Sequence, residues 1–488
     1  MKQPSSLLRL ILTVTASLLC SLLAGAVTFT SDTVVSFSNT NYDGENIIVT
    51  NCTLTVDGLH SFASLQVLNG GTLTHSFAPN GLLENRRTIT NELQVLSVTN
   101  AATLPSSDVV ASTIVVQDLS GLVTYTNGAD YVIGLDNNGM TTLLLTANSA
   151  IAEGSTNLIA YDYLDTPVAA GLRLIVIGDV FVAQGGAVKV DGKGYDGGLG
   201  YGDGAGQFGG NPLSGSGAGH GGDGGQSAAL GATGTSYDSI QQPVNLGSGG
   251  GRGYGGVGGA GGGSVRLVVG GNLRVEGTVS ADGANGINDR SGGGSGGSIW
   301  LTCQNLSGTG VLSANGGDGE PSQGGGGAGG RISLQFTADL SSALTQAHGG
   351  NGYVRGGAGT VYSQADGQFT GQVLVDNGGK SGMSTLLRGE PFDLTVRGGA
   401  IISLSGSMTL RNLLIASNAW IKPSNQSVTV EVTGNATIEA GGAITADGTG
   451  YAGNLGPAAG KYNSDPTDYT GGGGGYGGFG AAGGTTNS

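Results

Sequence analysis

Residues 262–267 read GGSVRL, and the pattern returns as GGSIWL at 296–301 and as GGRISL at 329–334. The copies begin 34 and 33 residues apart. A second marker keeps a spacing of 33 residues in both intervals: 281–283 (ADG), 314–316 (ANG) and 347–349 (AHG). Fixed periods of this size are typical of supersecondary units that stack on one another.

Each copy reads as a β-strand because apolar and polar side chains alternate. The residues predicted to face inward and stack are Val265, Leu267 and Val269, then Ile299, Leu301 and Cys303, then Ile332, Leu334 and Phe336. Cys303 is therefore interpreted as a small buried hydrophobe rather than a reactive thiol. Trp300 falls on the opposite face, where we expect exposure and tolerance of substitution.

The sequence as a whole predicts an all-β fold, a parallel β-helix or β-solenoid with long glycine-rich loops and one inserted small β-sandwich-like domain. Residues 178–197 match 434–453 at 9 of 20 positions, which indicates a second cycle of the repeat. Short β-runs about ten residues apart, with turns such as Asn127-Gly128, indicate the inserted domain. The predicted divisions are a signal peptide (1–26), a first solenoid segment (27–91), the inserted domain (92–168), glycine-rich repeats of about 33 residues (169–369) and a second, incomplete cycle (370–488). Because no polar capping unit precedes Ser488, we expect a longer parent protein.

The N-terminus predicts export. Lys2 and Arg9 precede an apolar stretch, Leu10 to Leu23, and the small-residue triplet Ala24-Gly25-Ala26 follows, which is the pattern of a signal peptide cleaved after Ala26. The apolar stretch is shorter than the ~20 residues of a spanning helix. We therefore expect a secreted or cell-surface protein whose mature chain does not span a membrane.

Composition argues against nucleic-acid binding and against disorder. The chain carries 19 basic and 34 acidic residues, a net charge of -15, and an acidic surface repels phosphate backbones. Glycine supplies 100 of the 488 residues and charged residues only 11%. Val, Ile and Thr nevertheless recur in regular short runs, which a disordered chain lacks.

Several segments carry a family resemblance: 53–58 (TLTVDG), 190–195 (VDGKGY), 216–222 (SGAGHGG) and 246–251 (LGSGGG). They resemble large glycine-rich repeat proteins that environmental bacteria export, and residues 127–163 are similar to small β-domains inserted in such proteins. The resemblance covers most of residues 35–488. It implies a surface or matrix role and a fold akin to the right-handed β-helix of autotransporter-type adhesins. It brings no catalytic motif.

The outward positions of the repeats do not accumulate the carboxylates that β-solenoid lyases and hydrolases use as acid, base or calcium ligands. No residue is nominated as catalytic, and no cofactor is firmly indicated. The alternative is a polysaccharide-active β-helix enzyme, a lyase or hydrolase, whose catalytic part lies outside this chain. Calcium is a weak candidate ligand at Asp196, Asp203 and Asp223, which sit among glycines, although Asp-Gly is more often a tight turn.

Consecutive triplets between Gly253 and Gly261 each hold one variable residue. A period of three favours packed polyproline II-like chains, with Gly255, Gly256 and Gly258 against neighbours, while a flexible linker is the alternative. Five tyrosines sit in the glycine loops and are predicted surface contacts: Tyr195, Tyr201, Tyr254, Tyr353 and Tyr476. The leading interpretation is a structural or adhesive protein whose partners are polysaccharide or other matrix components.

Overall fold

The computed structural model describes residues 25–36, 38–76, 85–105, 109, 113–135, 141–165, 171–207, 214–368, 370–387, 392–404, 406–423, 428–447, 449–450, 455, 457–459 and 474. All but two residues of the predicted signal peptide lie outside these ranges, as does Tyr476. Within them the chain is all-β, with mostly parallel sheets, and its helix content is one 3-10 turn, Thr40–Tyr42. No helix in this part of the chain is long and apolar enough to cross a bilayer.

Short strands fill the first described stretch and belong to two parallel sheets. They are β1 (Val27–Phe29), β2 (Thr33–Val35), β3 (Asn46–Val49), β4 (Thr53–Val56), β5 (Gly58–Phe62), β6 (Ser64–Val67) and β7 (Thr72–Thr74). The first parallel sheet begins with the order β1-β3-β6 and also contains β5, and the second begins with the order β2-β4-β7. Alternation places the apolar side of each strand in a common core, since Leu54, Leu65 and Leu73 are fully buried.

The next stretch is antiparallel and has a separate core. Its strands are β8 (Asn85–Val95), β9 (Ala102–Thr103), β10 (Val115–Gln117), β11 (Thr124–Tyr125), β12 (Tyr131–Leu135), β13 (Thr141–Leu145) and β14 (Thr156–Asp165). They form two sheets, β11-β10-β14-β8 and β12-β13-β9, around buried residues that include Leu96, Leu143 and Ile159. The antiparallel region begins before the predicted boundary at residue 92, because β8 pairs with β14 from Asn85 onward.

Parallel stacking resumes after this region. The first strands are β15 (Leu172–Val176), β16 (Val180–Val182) and β17 (Ala187–Lys189). Strands β18 (Gly206–Gln207) and β19 (Ser214–Gly215) form a separate antiparallel pair. The parallel strands continue with β20 (Ser264–Val269), β21 (Asn272–Val275), β22 (Thr278–Ser280), β23 (Ser298–Gly308), β24 (Val311–Ser313), β25 (Arg331–Ser341), β26 (Leu344–Gln346) and β27 (Thr360–Ala365). Strand β15 pairs with β5 on one side and with β20 on the other. The first parallel sheet therefore continues directly across the antiparallel region.

The three hexapeptides pair in the register that the sequence predicts. Val265 lies opposite Ile299, and Ile299 lies opposite Ile332. These residues belong to one buried cluster together with Leu301 and Cys303. The inward column is confirmed, and burial raises the pKa of the Cys303 thiol to about 12, which keeps it protonated.

The last described strands continue the parallel pattern after one reversal. They are β28 (Gln372–Asp376), β29 (Ser384–Leu386), β30 (Phe392–Arg397), β31 (Ile401–Leu404), β32 (Met408–Ile415), β33 (Trp420–Pro423), β34 (Val430–Val432), β35 (Ala436–Ile438) and β36 (Ala443–Ile444). Strand β28 is antiparallel to β27, whereas β28, β30, β32 and β34 are parallel to one another. A second buried cluster, which contains Leu394, Ile402 and Ile415, fills this part of the molecule.

Glycine segments between the strands bond to one another with a period of three. Residues 292–294 donate N–H bonds to three different neighbouring segments, and residues 295–297 repeat those neighbours in the same order. The acceptors are the carbonyl oxygens of Gly251, Gly325 and Ala284 for the first triplet and of Ser248, Ala328 and Ala281 for the second. Three residues per turn is the period of the polyproline II helix. Side chains at the contact positions of such segments would hold neighbouring backbones apart, so glycine is needed there. We call these mutually bonded segments, within residues 190–359, the glycine layer.

Close packing makes glycine necessary at most of these positions. A Cβ on Gly258 would overlap the backbone of Gly250, and a Cβ on Gly256 would lie 2.6 Å from the carbonyl oxygen of Ile287. The prediction for Gly255 is wrong, since nothing lies within 4 Å of a Cβ built there. Tyr254 and Val257 are 67% and 58% exposed, as expected for the variable places of the triplets.

Candidate functional site

The tyrosines predicted as surface contacts divide into two groups. Tyr201, Tyr254 and Tyr353 are 67%, 67% and 52% exposed, so large parts of their side chains face solvent. Tyr195 is only partly exposed, and its ring contacts Tyr201 at a centroid distance of 6.0 Å, nearly perpendicular. Burial raises the pKa of Tyr195 to about 12, so its hydroxyl stays neutral and retains its proton for hydrogen bonding.

An aromatic cluster continues inward from Tyr201. The ring of Tyr237 lies 5.7 Å from Tyr201 and 4.5 Å from the imidazole of His220. The Tyr237 hydroxyl donates to the carbonyl oxygen of Leu246 at 2.6 Å and lies 2.8 Å from Ser248 Oγ. The rings of Tyr237 and His220 therefore support the exposed ring of Tyr201.

Residues 236–246 form a segment without glycine that we call the Asp238 segment. Asp238 has φ +71°, in the left-handed region. Its carboxylate accepts hydrogen bonds from several donors. Its Oδ2 lies 3.3 Å from His220 Nε2 and accepts the N–H groups of Val244 and Asn245 at 3.1 and 3.0 Å. Burial alone would raise the pKa of Asp238, but these hydrogen bonds hold it below its usual value.

The Asp238 segment covers the part of the outer face of the first parallel sheet that β25 contributes. Arg331 Nε donates to the carbonyl oxygen of Tyr237 at 2.8 Å, and Ser333 Oγ donates to that of Gln241 at 2.6 Å. Trp300 lies on this face as predicted, yet it is only 7% exposed. Our expectation that Trp300 is exposed is therefore wrong, because alternation of residues sets the direction of a side chain but not which residues pack over it.

His220, Asp238 and Ser298 meet without forming a catalytic triad. The Ser298 hydroxyl lies 2.6 Å from the carbonyl oxygen of Asn245 and 3.2 Å from Asp238 Oδ2. His220 Nδ1 is occupied by the carbonyl oxygen of Gly296 at 2.7 Å. A triad needs the serine proton directed at the imidazole, which this arrangement does not provide. The cluster instead fastens the Asp238 segment to the glycine layer.

A cavity of about 400 Å³ lies between the Asp238 segment and the strands that follow β27. Gln241, Arg331, Tyr362 and Phe392 are among its lining residues. Burial lowers the pKa of Arg331 to about 10, so the guanidinium remains charged at neutral pH. The volume falls in the range of small-molecule sites.

The three aspartates predicted as calcium ligands are not assembled into a site. Asp223 is occupied, since its Oδ1 accepts the N–H of Ser236 at 3.0 Å and its Oδ2 accepts the hydroxyl of Ser384 at 2.9 Å. Across the described ranges, no group of three or more His, Cys, Asp or Glu side chains is placed to hold a metal ion. Asp223 acts as a tie between the glycine layer and β29.

Comparison with protein-family models, curated proteins and solved structures finds no match for this chain. Its function must be argued from its own geometry.

Sequence reasoning identified the exposed tyrosines but missed the Asp238 segment. That segment lies outside the 33-residue repeat, so repeat comparison does not reach it. One signal was available: residues 236–246 (SYDSIQQPVNL) hold no glycine between two glycine-rich stretches. A change of composition of this kind indicates a segment that packs through side chains rather than through backbone.

Proposed function

We propose that this protein is an exported, non-catalytic structural protein of the parallel β-solenoid class, displayed at a cell surface or in an extracellular matrix, that adheres to polysaccharide. The solenoid part is supported by strands that recur about every 33 residues and pair in parallel and in register, as Val265, Ile299 and Ile332 do. Each repeat adds strands to two sheets that share a core.

The observation that carries the adhesive role is the pairing of an ordered glycine layer with exposed aromatic rings. Tyr201 and Tyr353 project from backbone that is held by hydrogen bonds to neighbouring segments, Gly202 N–H to Ser248 Oγ at 3.0 Å and Tyr353 N–H to the Gly324 carbonyl oxygen at 2.7 Å. Tyr254 follows Gly253, whose backbone packs closely against that of Asp289. Aromatic rings on fixed backbone lose little conformational entropy when a sugar stacks on them.

Affinity electrophoresis of the full chain in gels that contain hydroxyethyl cellulose, a neutral polysaccharide, tests this role. We expect retardation of the native protein and its loss in the triple variant Tyr201→Ala, Tyr254→Ala, Tyr353→Ala. The matched control is Leu122→Ala, an 87% exposed apolar residue in the antiparallel region.

Two results would overturn the proposal. One is unchanged mobility of the native chain in hydroxyethyl cellulose and in a panel of other neutral polysaccharides. The other is release of reducing ends from a polysaccharide by the purified chain, which would favour the enzymatic alternative, for which the cavity beside Arg331 would be the first place to look.

A further inference from the structure

Two arginines stack on the outer face of the first parallel sheet. Arg173 of β15 lies directly opposite Arg266 of β20, and Arg266 lies opposite Trp300 of β23. Neighbouring strands are about 4.8 Å apart, so the two guanidinium groups start from adjacent positions on one face. Like charges placed this way repel unless an anion lies between them.

Neither arginine has an acidic partner in the described part of the chain. The arginine ion pairs found there use Arg274, Arg290, Arg397 and Arg411. Arg266 Nε is buried and has no hydrogen-bond acceptor. A guanidinium donor without an acceptor is unfavourable, so a bound acceptor would stabilise Arg266.

The Arg266 side chain is held in place by Trp300. Its Cζ lies 4.1 Å from the centroid of the Trp300 ring, which is cation–π geometry. The ring is itself fixed, since Trp300 Nε1 donates to Gln335 Oε1 at 3.2 Å. A guanidinium that is already fixed by stacking loses little conformational entropy when it binds a ligand. Its planar N–H groups can donate two parallel hydrogen bonds to a carboxylate or a sulfate.

We propose that Arg173 and Arg266, with the buried Trp300 ring supporting Arg266, form a binding site for the anionic group of an acidic polysaccharide. The site rests on the proposed adhesive function, but it is separate from the exposed tyrosines and takes a different class of sugar. Arg173 and Arg266 supply the charge for a carboxylate or sulfate, while Ile175, 40% exposed and two residues beyond Arg173 on the same face, offers apolar contact to a sugar ring.

Binding of the full chain to immobilised glycans tests the site, with alginate as the carboxylated probe, dextran sulfate as the sulfated probe and dextran as the neutral one. We expect Arg266→Gln to weaken binding to at least one acidic glycan tenfold or more and Arg173→Gln to act in the same direction. The glycan whose binding is weakened identifies carboxylate or sulfate as the ligand. Arg266→Lys, which keeps the charge and loses the fork, should fall between Arg266→Gln and the native protein.

The matched control is Arg274→Gln, because Arg274 is exposed on the same sheet and already paired with Glu276 Oε1 at 2.8 Å. It should change acidic-glycan binding by less than twofold. Equal losses for Arg274→Gln and Arg266→Gln would overturn the site in favour of general charge attraction, and so would equal affinity for double-stranded DNA. Arg173→Gln, at a partly exposed position, keeps the test decisive if Arg266→Gln melts below the assay temperature.

Failure of this site and failure of the proposed function give different results. If the arginine variants bind acidic glycans normally while the triple tyrosine variant loses retardation in hydroxyethyl cellulose, the site is wrong and the adhesive function stands. If acidic-glycan binding depends on the arginines and no neutral polysaccharide retards the native chain, the site stands and the tyrosine contacts are wrong.

Discussion

Single side-chain oxygens tie each repeat to the next. Asp191 Oδ1 accepts the N–H of Asp282 at 2.9 Å, Asp282 Oδ1 accepts that of Asn315 at 2.6 Å, and Asn315 Oδ1 accepts that of His348 at 2.8 Å. A second series of the same kind links Asn285, Asp318 and Asn351. Short polar residues recur at these turns because their oxygens lie at the right distance from the backbone of the adjoining repeat.

Histidine 75 is buried in a place that does not tolerate charge. Its Nδ1 lies 2.7 Å from the carbonyl oxygen of Ser76, and its Nε2 is buried without a partner, against the space left by Gly263. Burial lowers the pKa of His75 to about 4, which the Ser76 carbonyl and the charge of Asp57 only partly oppose. The folded protein therefore holds this imidazole neutral well below pH 6.5.

We predict a loss of stability in mild acid that depends on His75. Above pH 6.5 the imidazole is neutral in both states and contributes nothing to the pH dependence. Between pH 6.5 and 4 the unfolded chain binds a proton that the folded chain does not, so stability falls, by about 3 kcal/mol at the low end. Denaturant unfolding of the native protein and of His75→Gln across this range measures the effect. The native curve should be steeper, and parallel curves would contradict the prediction.

At the scale of the element, the glycine segments pack and hydrogen-bond in a fixed arrangement although they do not form a regular β-sheet. Gly250 N–H donates to the carbonyl oxygen of Gly259 and Gly259 N–H to that of Gly292, at 2.8 and 2.9 Å. The backbone itself is the packing surface here. A segment of this kind tolerates side chains only where it faces solvent.

We predict opposite outcomes for two neighbouring valine substitutions. Gly258→Val would drive a β-branched side chain into the backbone of Gly250 and should lower the free energy of unfolding by about 3 kcal/mol or more. Gly255→Val is the matched control, since the space around its Cβ is open, and it should change stability by less than about 1 kcal/mol. Thermal melts with limited proteolysis measure both. Similar melts for the two variants, together with rapid cleavage near Tyr254, would mean that the segment is a flexible linker.

The sequence predicted strands better than it predicted their surroundings. Period-two alternation identified the inward column of Val265, Ile299 and Ile332, because a strand that buries every second residue shows apolar and polar residues in alternation along the sequence. The burial of Trp300 and the open space at Gly255 could not be predicted in this way. Both depend on which distant segment lies alongside, and the Asp238 segment and the glycine layer bring together residues far apart in the chain.

At the scale of the whole molecule, the antiparallel region is an insertion into a continuous sheet. Strand β15 pairs with β5 from Leu172 opposite Gly58 to Val176 opposite Phe62, although more than a hundred residues separate them. The antiparallel region has its own buried cluster, with Tyr131 and Tyr161 almost fully buried. Sheet continuity on one side and a separate core on the other are the features of an inserted unit.

We therefore predict that residues 77–170 can be replaced by a short Gly-Ser linker without unfolding the rest. The parallel sheets should keep their melting temperature within a few degrees, because the lost contacts belong to a separate cluster. Circular dichroism and a thermal melt of the shortened chain test this. A control deletion of residues 264–297, which removes one repeat from the parallel stack, should be more damaging. Loss of the parallel-sheet transition in the first deletion would mean that the two parts depend on each other.

The glycine layer also has a consequence for the order in which the chain folds. Its hydrogen bonds join positions as distant as Gly221 and Gly329, and each glycine loses more backbone freedom on ordering than any other residue. Such contacts become favourable only after the strands have brought the segments together. Ordering of the layer is thus expected as the last step of folding, and its amides should exchange with solvent through local openings that leave the strand core intact. The layer can therefore open at the surface while the parallel sheets stay paired.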